Sequence, residues 1–221
     1  MRPSILAAAL LCVSVEALAG PVVISTFDSD LDGWGASAGW FWQSTAGNGY
    51  LSYPVPPGSF LPSGGLGAPS KFLGDKSALY GGSLSFDLRQ SEVDVRKIGD
   101  SVIVFSNASL PFYLLLNWWE PGYGGTGATS WHRAAFPLAA GNIYANDAGG
   151  AHVATEAEIR AVLSSLSMLE IWVNYLNFWG AQSDHFHIDN IALNAAVPEP
   201  ATCALVIVGL AGLISFARRR R

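Results

Sequence analysis

The chain has 221 residues, half of them apolar, with 12 Lys and Arg against 17 Asp and Glu for a formal net charge of −5. That length suits a single domain with targeting segments. An acidic balance disfavours a phosphate-backbone partner, so no nucleic-acid role is expected.

Met1-Arg2 is a short positive start, Ile5 to Val15 an apolar core, and Ala17-Leu18-Ala19 before Gly20 a small-x-small cleavage site. Residues 1–19 therefore read as a secretory signal peptide. At the other end, residues 201–217 are uncharged and mostly apolar, and Arg218, Arg219, Arg220 and Arg221 follow. As a helix this run reaches about 25 Å, and long arginine side chains cover the deficit against a ~30 Å hydrocarbon core. A single transmembrane helix is expected over 201–217, with the basic end 218–221 cytoplasmic and the preceding chain outside. This leaves 20–196 as the exported body. Both cysteines, Cys12 and Cys203, lie in the ends, so the body has no disulfide and must rely on its core. Removing the ends leaves seven basic and 15 acidic residues, a body charge of −8, and all eight tryptophans.

Within the body, residues 22–27 (VVISTF) form a β-branched run and the first expected strand. Short strands follow at Trp40–Trp42 and Tyr50–Tyr53. Residues 54–70, rich in Pro, Gly and Ser, read as a long irregular loop. Ser83–Leu88 alternates strictly, with Leu84, Phe86 and Leu88 on one face. Denser apolar runs at 101–105 and 112–118 suit interior strands. A Gly-rich loop (EPGYGGTGATS) leads into a strand near 131–138. Thr155 and Glu158 have the spacing of a capping box, and Ile159, Val162, Leu163 and Leu166 form one helical stripe ending near Ser167. Leu169, Ile171, Val173 and Tyr175 switch to period two, and Phe186–Leu193 is the last strand. About nine strands and one short helix predict an all-β, antiparallel β-sandwich of jelly-roll type.

Two resemblances add to this reading. Val197-Pro198-Glu199-Pro200, the apolar segment with Gly209 and Gly212, and the four terminal arginines together resemble the PEP-CTERM sorting signal of Gram-negative bacteria. The resemblance implies export through the inner membrane, transient anchoring there, and processing by an exosortase-type enzyme, often in organisms that make exopolysaccharide. The destination it implies is the cell surface or extracellular space. In the body, Phe72-Leu73-Gly74-Asp75-Lys76, Tyr80-Gly81-Gly82 and Leu84-Ser85-Phe86-Asp87-Leu88 resemble the laminin B (laminin IV type A) domain. Asp32-Gly33-Trp34, Tyr50-Leu51, Thr155 through Leu169, and Ile188-Asp189-Asn190-Ile191 support it in order. This second resemblance implies a β-sandwich of extracellular and matrix proteins, with no catalytic activity attached to the module.

Chemistry-bearing residues are sparse. Asp28-Ser29-Asp30-Leu31-Asp32-Gly33 opens like a calcium loop, but its twelfth position is Gly39 where an EF-hand requires Glu. A partial Ca2+ site at Asp28, Asp30 and Asp32, completed by Asp189 or a backbone carbonyl, competes with a plain acidic turn. His185, His187 and Asp189 alternate and share one face of their strand, where two imidazoles and a carboxylate suit zinc or simply form a polar outer face. His132 and His152 look isolated. Asp75 and Asp87 read as turn caps or cation ligands. No G-x-S-x-G is present, and Glu120, Glu170 and Asp147 are the carboxylates available for a glycosidase pair. Trp118, Trp119, Tyr123 and Trp131 surround the Gly-rich loop, and Trp118, Trp119 and Tyr123 are the candidate ligand-binding rings. For Trp34, Trp172 and Trp131 a place in the core is the simpler expectation. The expected function is a non-enzymatic surface or matrix module that binds polysaccharide or a matrix protein. A self-associating envelope or biofilm-matrix component is the second reading, and a glycan-active enzyme the third.

Overall fold

In the computed structural model the chain divides into two units, Gly20–Ala196 and the two ends, Met1–Ala19 with Val197–Arg221. The structure describes residues 21–36, 39–55, 60–61, 65–90, 96–97, 102–117, 130–172, 175–176 and 184–196. The signal peptide and the sorting tail, with Pro198, Glu199, Pro200 and Arg218 to Arg221, lie outside these. So does the expected span 201–217. Among the described residues no helix is long and apolar enough to cross a membrane.

Two sheets enclose one core. The first contains β1 (Pro21–Ser25), β3 (Phe41–Thr45), β4 (Asn48–Val55), β7 (Ser83–Gln90), β11 (His132–Pro137) and β16 (Asp184–Asn194), in the order β11-β7-β16-β4-β3 with β1 also on β16. The second contains β2 (Gly35–Ala36), β6 (Gly65–Gly67), β9 (Val102–Ser106), β10 (Tyr113–Asn117), β12 (Tyr144–Asp147), β13 (Gly150–Val153) and β14 (Met168–Trp172), in the order β13-β12-β10-β9-β14-β6-β2. A small third sheet joins β5 (Phe60–Leu61), β15 (Tyr175–Leu176) and β8 (Arg96–Lys97). The pairings within and at the ends of both large sheets are antiparallel, including β7 with β16 and β9 with β14.

Period-two alternation builds the core as expected. Leu84, Phe86 and Leu88 are fully buried from the first sheet, and they share one cluster with Ile103, Phe105, Leu114 and Ile171 from the second. The helix α1 (Glu156–Leu163) adds Ile159, Val162 and Leu163. Its capping box is complete: Thr155 Oγ1 accepts from the Glu158 N–H, and the Glu158 carboxylate accepts from the Thr155 N–H. The helix stops at Leu163, a turn before the expected Ser167, because Phe72–Lys76 docks against its end. The Lys76 N–H donates to the Leu163 carbonyl at 2.7 Å, and Gly74 and Leu166 exchange backbone bonds at 2.8 and 2.9 Å. These bonds satisfy carbonyls that a helix end leaves open.

Three segments depart from the sequence reading. The 54–70 stretch is not wholly irregular, since Gly65–Gly67 pairs with both β14 and β2. An unforeseen hairpin joins β12 and β13, closed by the Gly149 N–H donating to Asp147 Oδ1 at 2.7 Å and by Gly150 at φ +107°. Finally, β16 carries a bulge. Asp189 pairs with Asp87, yet Ala192 pairs with Ser85, so three steps on β16 answer two on β7. Asn190 supplies the extra residue at φ +50°, a conformation asparagine tolerates. The bulge resets the alternation, which keeps Phe186 and Ile188 in the core and returns Ile191 and Leu193 to it.

Candidate functional site

The register of the first sheet assembles its outward face. Ser52 on β4 pairs with His187 on β16, and His187 pairs with Arg89 on β7. On β3, Phe41 pairs with Ser52, and on β11 Arg133 pairs with Asp87. Side chains on opposite strands in register point to the same face. Phe41, Ser52, His187 and Arg89 therefore stand together, with Tyr50, His185, Asp87, Asp189 and Arg133 two residues along.

Rings run across this face in contact. Phe41 meets His185 edge-on at 6.3 Å, and His185 stacks on His187 at 6.0 Å. His187 meets Tyr50 at 5.0 Å, and Tyr50 meets Trp131 at 5.7 Å. The Arg89 guanidinium lies over both Tyr50 and Trp131, 5.3 and 4.9 Å from their centroids. Such contacts orient the guanidinium without neutralising it. Trp131 thus belongs to this outer face and is half-buried, whereas Trp34 occupies the core, its indole N–H donating to Ser25 Oγ at 2.8 Å. Trp172 is also only half-buried, with its indole N–H on Glu170.

The sequence placed His185, His187 and Asp189 on one polar outer face, and the register agrees. It is not a solvated face: His187 and Asp189 are only 5% and 3% exposed. Burial, then the nearby Arg89 and His185 charges, push the His187 imidazole down to about 4, so it is neutral at pH 7. Burial raises the Asp189 carboxyl to about 6, with the Asn190 N–H bond opposing it and the Asp87 charge adding to it. Asn190 Nδ2 donates to Asp87 Oδ2 at 2.8 Å, which links the bulge to β7.

The acidic turn 28–33 is used mostly by the protein itself. Thr26 Oγ1 donates to Asp28 Oδ2 at 2.6 Å, and the Asp32 N–H donates to Asp30 Oδ1 at 2.6 Å. Lys71 Nζ contacts the Asp32 carboxylate and donates to the Ile24 carbonyl at 2.8 Å. Among the described residues no three His, Cys, Asp or Glu side chains gather as a metal cluster. Asp28 does lie near enough to Asp189 to raise its carboxyl electrostatically.

Other sequence candidates fall elsewhere. Trp118, Trp119, Tyr123 and Glu120 lie outside the described residues. Glu170 on β14 and Asp147 on β12 are three strands apart, at least about 14 Å, too far for a glycosidase pair. His152 is not isolated, since its ring meets Glu158 at 3.0 Å. Asp75 caps the Ser77 N–H and hydroxyl, at 2.9 and 2.7 Å. Sequence reasoning missed Tyr50, Ser52 and Arg89, which no local motif marks.

The described residues thus form a two-sheet antiparallel sandwich with one capped helix. Residues 66–206 match the Laminin B (Domain IV) family, and the chain belongs to that family. Residues 196–221 match the PEP-CTERM protein-sorting motif. No curated protein sequence matches at a significant level. Among solved structures, the L4b domain of human laminin alpha-2 is similar at 18% identity, covering 60% of this chain and 70% of that one, with a TM-score of 0.47. A family 30 carbohydrate binding module is similar at 16% identity, covering 80% and 90%, with a TM-score of 0.42. A non-crystalline-cellulose-specific module, CBM28, shows 12% identity over 80% and 95%, with a TM-score of 0.40.

Proposed function

We propose that this protein is a non-enzymatic module that its sorting tail delivers, by way of the inner membrane and an exosortase-type enzyme, to the cell surface or extracellular matrix. There it binds polysaccharide or, failing that, a matrix protein. One observation carries the reading: the unbroken line of rings from Phe41 through His185, His187 and Tyr50 to Trp131. The exposed Phe41 and the half-buried His185 and Trp131 offer apolar faces and edges to sugar rings, while the buried Tyr50 and His187 hold them in line. A body charge of −8 directs the reading away from polyanions. The test is retention of the full-length protein, in detergent, on exopolysaccharide and on a glycan array. Failure to bind any glycan, with and without calcium, would remove this reading.

A second reading has its own observation. β13, the edge of the seven-stranded sheet, is exposed along its whole length, with Val153 53% exposed. Exposed edges invite strand addition, which favours self-association into a matrix. Sedimentation over a concentration series would reveal such oligomers.

A further inference from the structure

The outward face of the first sheet contains a concentrated defect in hydrogen bonding. Ser52 Oγ, His187 Nδ1 and Arg89 Nε are buried and have no hydrogen-bond partner among the described residues. The three residues occupy one rung of the β4-β16-β7 ladder. Ser52 is 0% exposed and His187 5%. Leaving a bond unmade at a buried polar atom is costly, and folded proteins seldom do so without a reason. Three lie on a single rung, spanning about 10 Å at the usual strand spacing.

We propose that Ser52 Oγ, His187 Nδ1 and Arg89 Nε–H are the binding groups of a site for the hydroxyls of one uncharged sugar ring, walled by Tyr50 and Trp131. The proposal rests on the polysaccharide reading above and gives that reading its central subsite. The donor and acceptor inventory selects this ligand class. Arg89 only donates, Ser52 does either, and an imidazole nitrogen of a neutral histidine accepts or donates according to its tautomer. A hydroxyl is both donor and acceptor and satisfies such a mixed set, whereas a carboxylate or phosphate wants donors alone. Asp87 and Asp189 on the same face, and the net negative body, further oppose an anion. The Trp131 ring covers Arg89 and lies 6.3 Å from His187, so a sugar reaches the rung only as that indole moves. Binding is therefore expected to change tryptophan fluorescence.

The experiment uses full-length protein in detergent against a panel of neutral hexose oligosaccharides and uronic-acid oligosaccharides. Isothermal titration then follows on the tightest binder. The expected result is binding of a neutral member with a fluorescence change, weakened at least tenfold in Ser52→Ala and in Arg89→Met. Arg133→Met, on the same face but paired with Asp87, should bind as the native chain does. Should Arg89→Met fail to fold, Ser52→Ala carries the test alone. Neutral-sugar binding that survives both variants overturns the subsite and leaves the broader polysaccharide reading standing. Preference for the uronic-acid members overturns the ligand class. Absence of binding to the whole panel by the native chain overturns both readings, and a lowered Tm in Ser52→Ala would then mark the rung as a buried-water site.

Discussion

Gly82 and Asn194 approach so closely that a Cβ on the glycine would lie 2.0 Å from the Asn194 carbonyl oxygen. The contact joins the start of β7 to the end of β16. Nearby, the Gly82 carbonyl accepts from the Leu138 N–H at 2.8 Å, so three strands converge on one residue without a side chain. Because the obstructing atom is backbone, no rotamer change relieves the clash. Gly82→Ala should destabilise the fold by about 3 kcal/mol, as overpacking does, and lower Tm by about 10 °C for a domain of this size. Gly81 is a useful comparison. It has φ +83° but meets only the Ala196 Cβ at 3.4 Å. Gly81→Ala should cost about 1 kcal/mol, from left-handed backbone alone. Equal melting temperatures for the two variants would contradict this ranking.

Lys71 and Asp32 provide a test of the acidic turn. The ammonium occupies the Asp32 carboxylate and also holds the Ile24 carbonyl, so the lysine supplies a positive charge where a calcium loop would place its cation. Removing it leaves Asp28, Asp30 and Asp32 without that charge. Millimolar calcium is therefore expected to raise the Tm of Lys71→Met more than that of the native protein, since hard oxygen ligands favour that ion. Identical calcium responses in the two proteins would rule the turn out as a cation site.

Elements whose signals are local were legible in the sequence. The β7 alternation and the Thr155–Glu158 box are set by neighbours within a few residues, and both stand as expected. The β12–β13 hairpin was not legible because it buries little. Tyr144 is 37% exposed and β13 is exposed throughout, so no apolar alternation marks it. The candidate site shows the same division. Period two put His185, His187 and Asp189 on one face, but Ser52 and Arg89 reach them from strands 135 and 98 residues away in sequence. Only the cross-strand register brings them together, and only the Asn190 bulge stops Ile191 from following Asp189 outward.

His187 and Asp189 also make a prediction about pH. The His187 imidazole, at about 4 in the fold against an ordinary value of 6.5, favours the folded state when neutral. Its contribution is complete above pH 6.5 and is lost as pH falls through 4. The Asp189 carboxyl, raised from 3.8 to about 6, behaves in the opposite sense. Its contribution is complete below pH 3.8 and is lost as pH rises through 6. Each shift corresponds to about 3 kcal/mol at most. Between pH 4 and 6 the two slopes oppose each other, so native stability should be nearly flat in that window. Asp189→Asn removes one slope and keeps an acceptor for the Asn190 N–H. Its stability should exceed the native value at pH 7 by about 2 kcal/mol, and should fall steeply as pH drops from 6.5 to 4. His187→Gln should show the reverse, losing stability as pH rises from 4 to 6. Urea denaturation at half-unit pH steps measures all three curves. Parallel curves for the native protein and both variants would show that the buried pair does not titrate as this face requires.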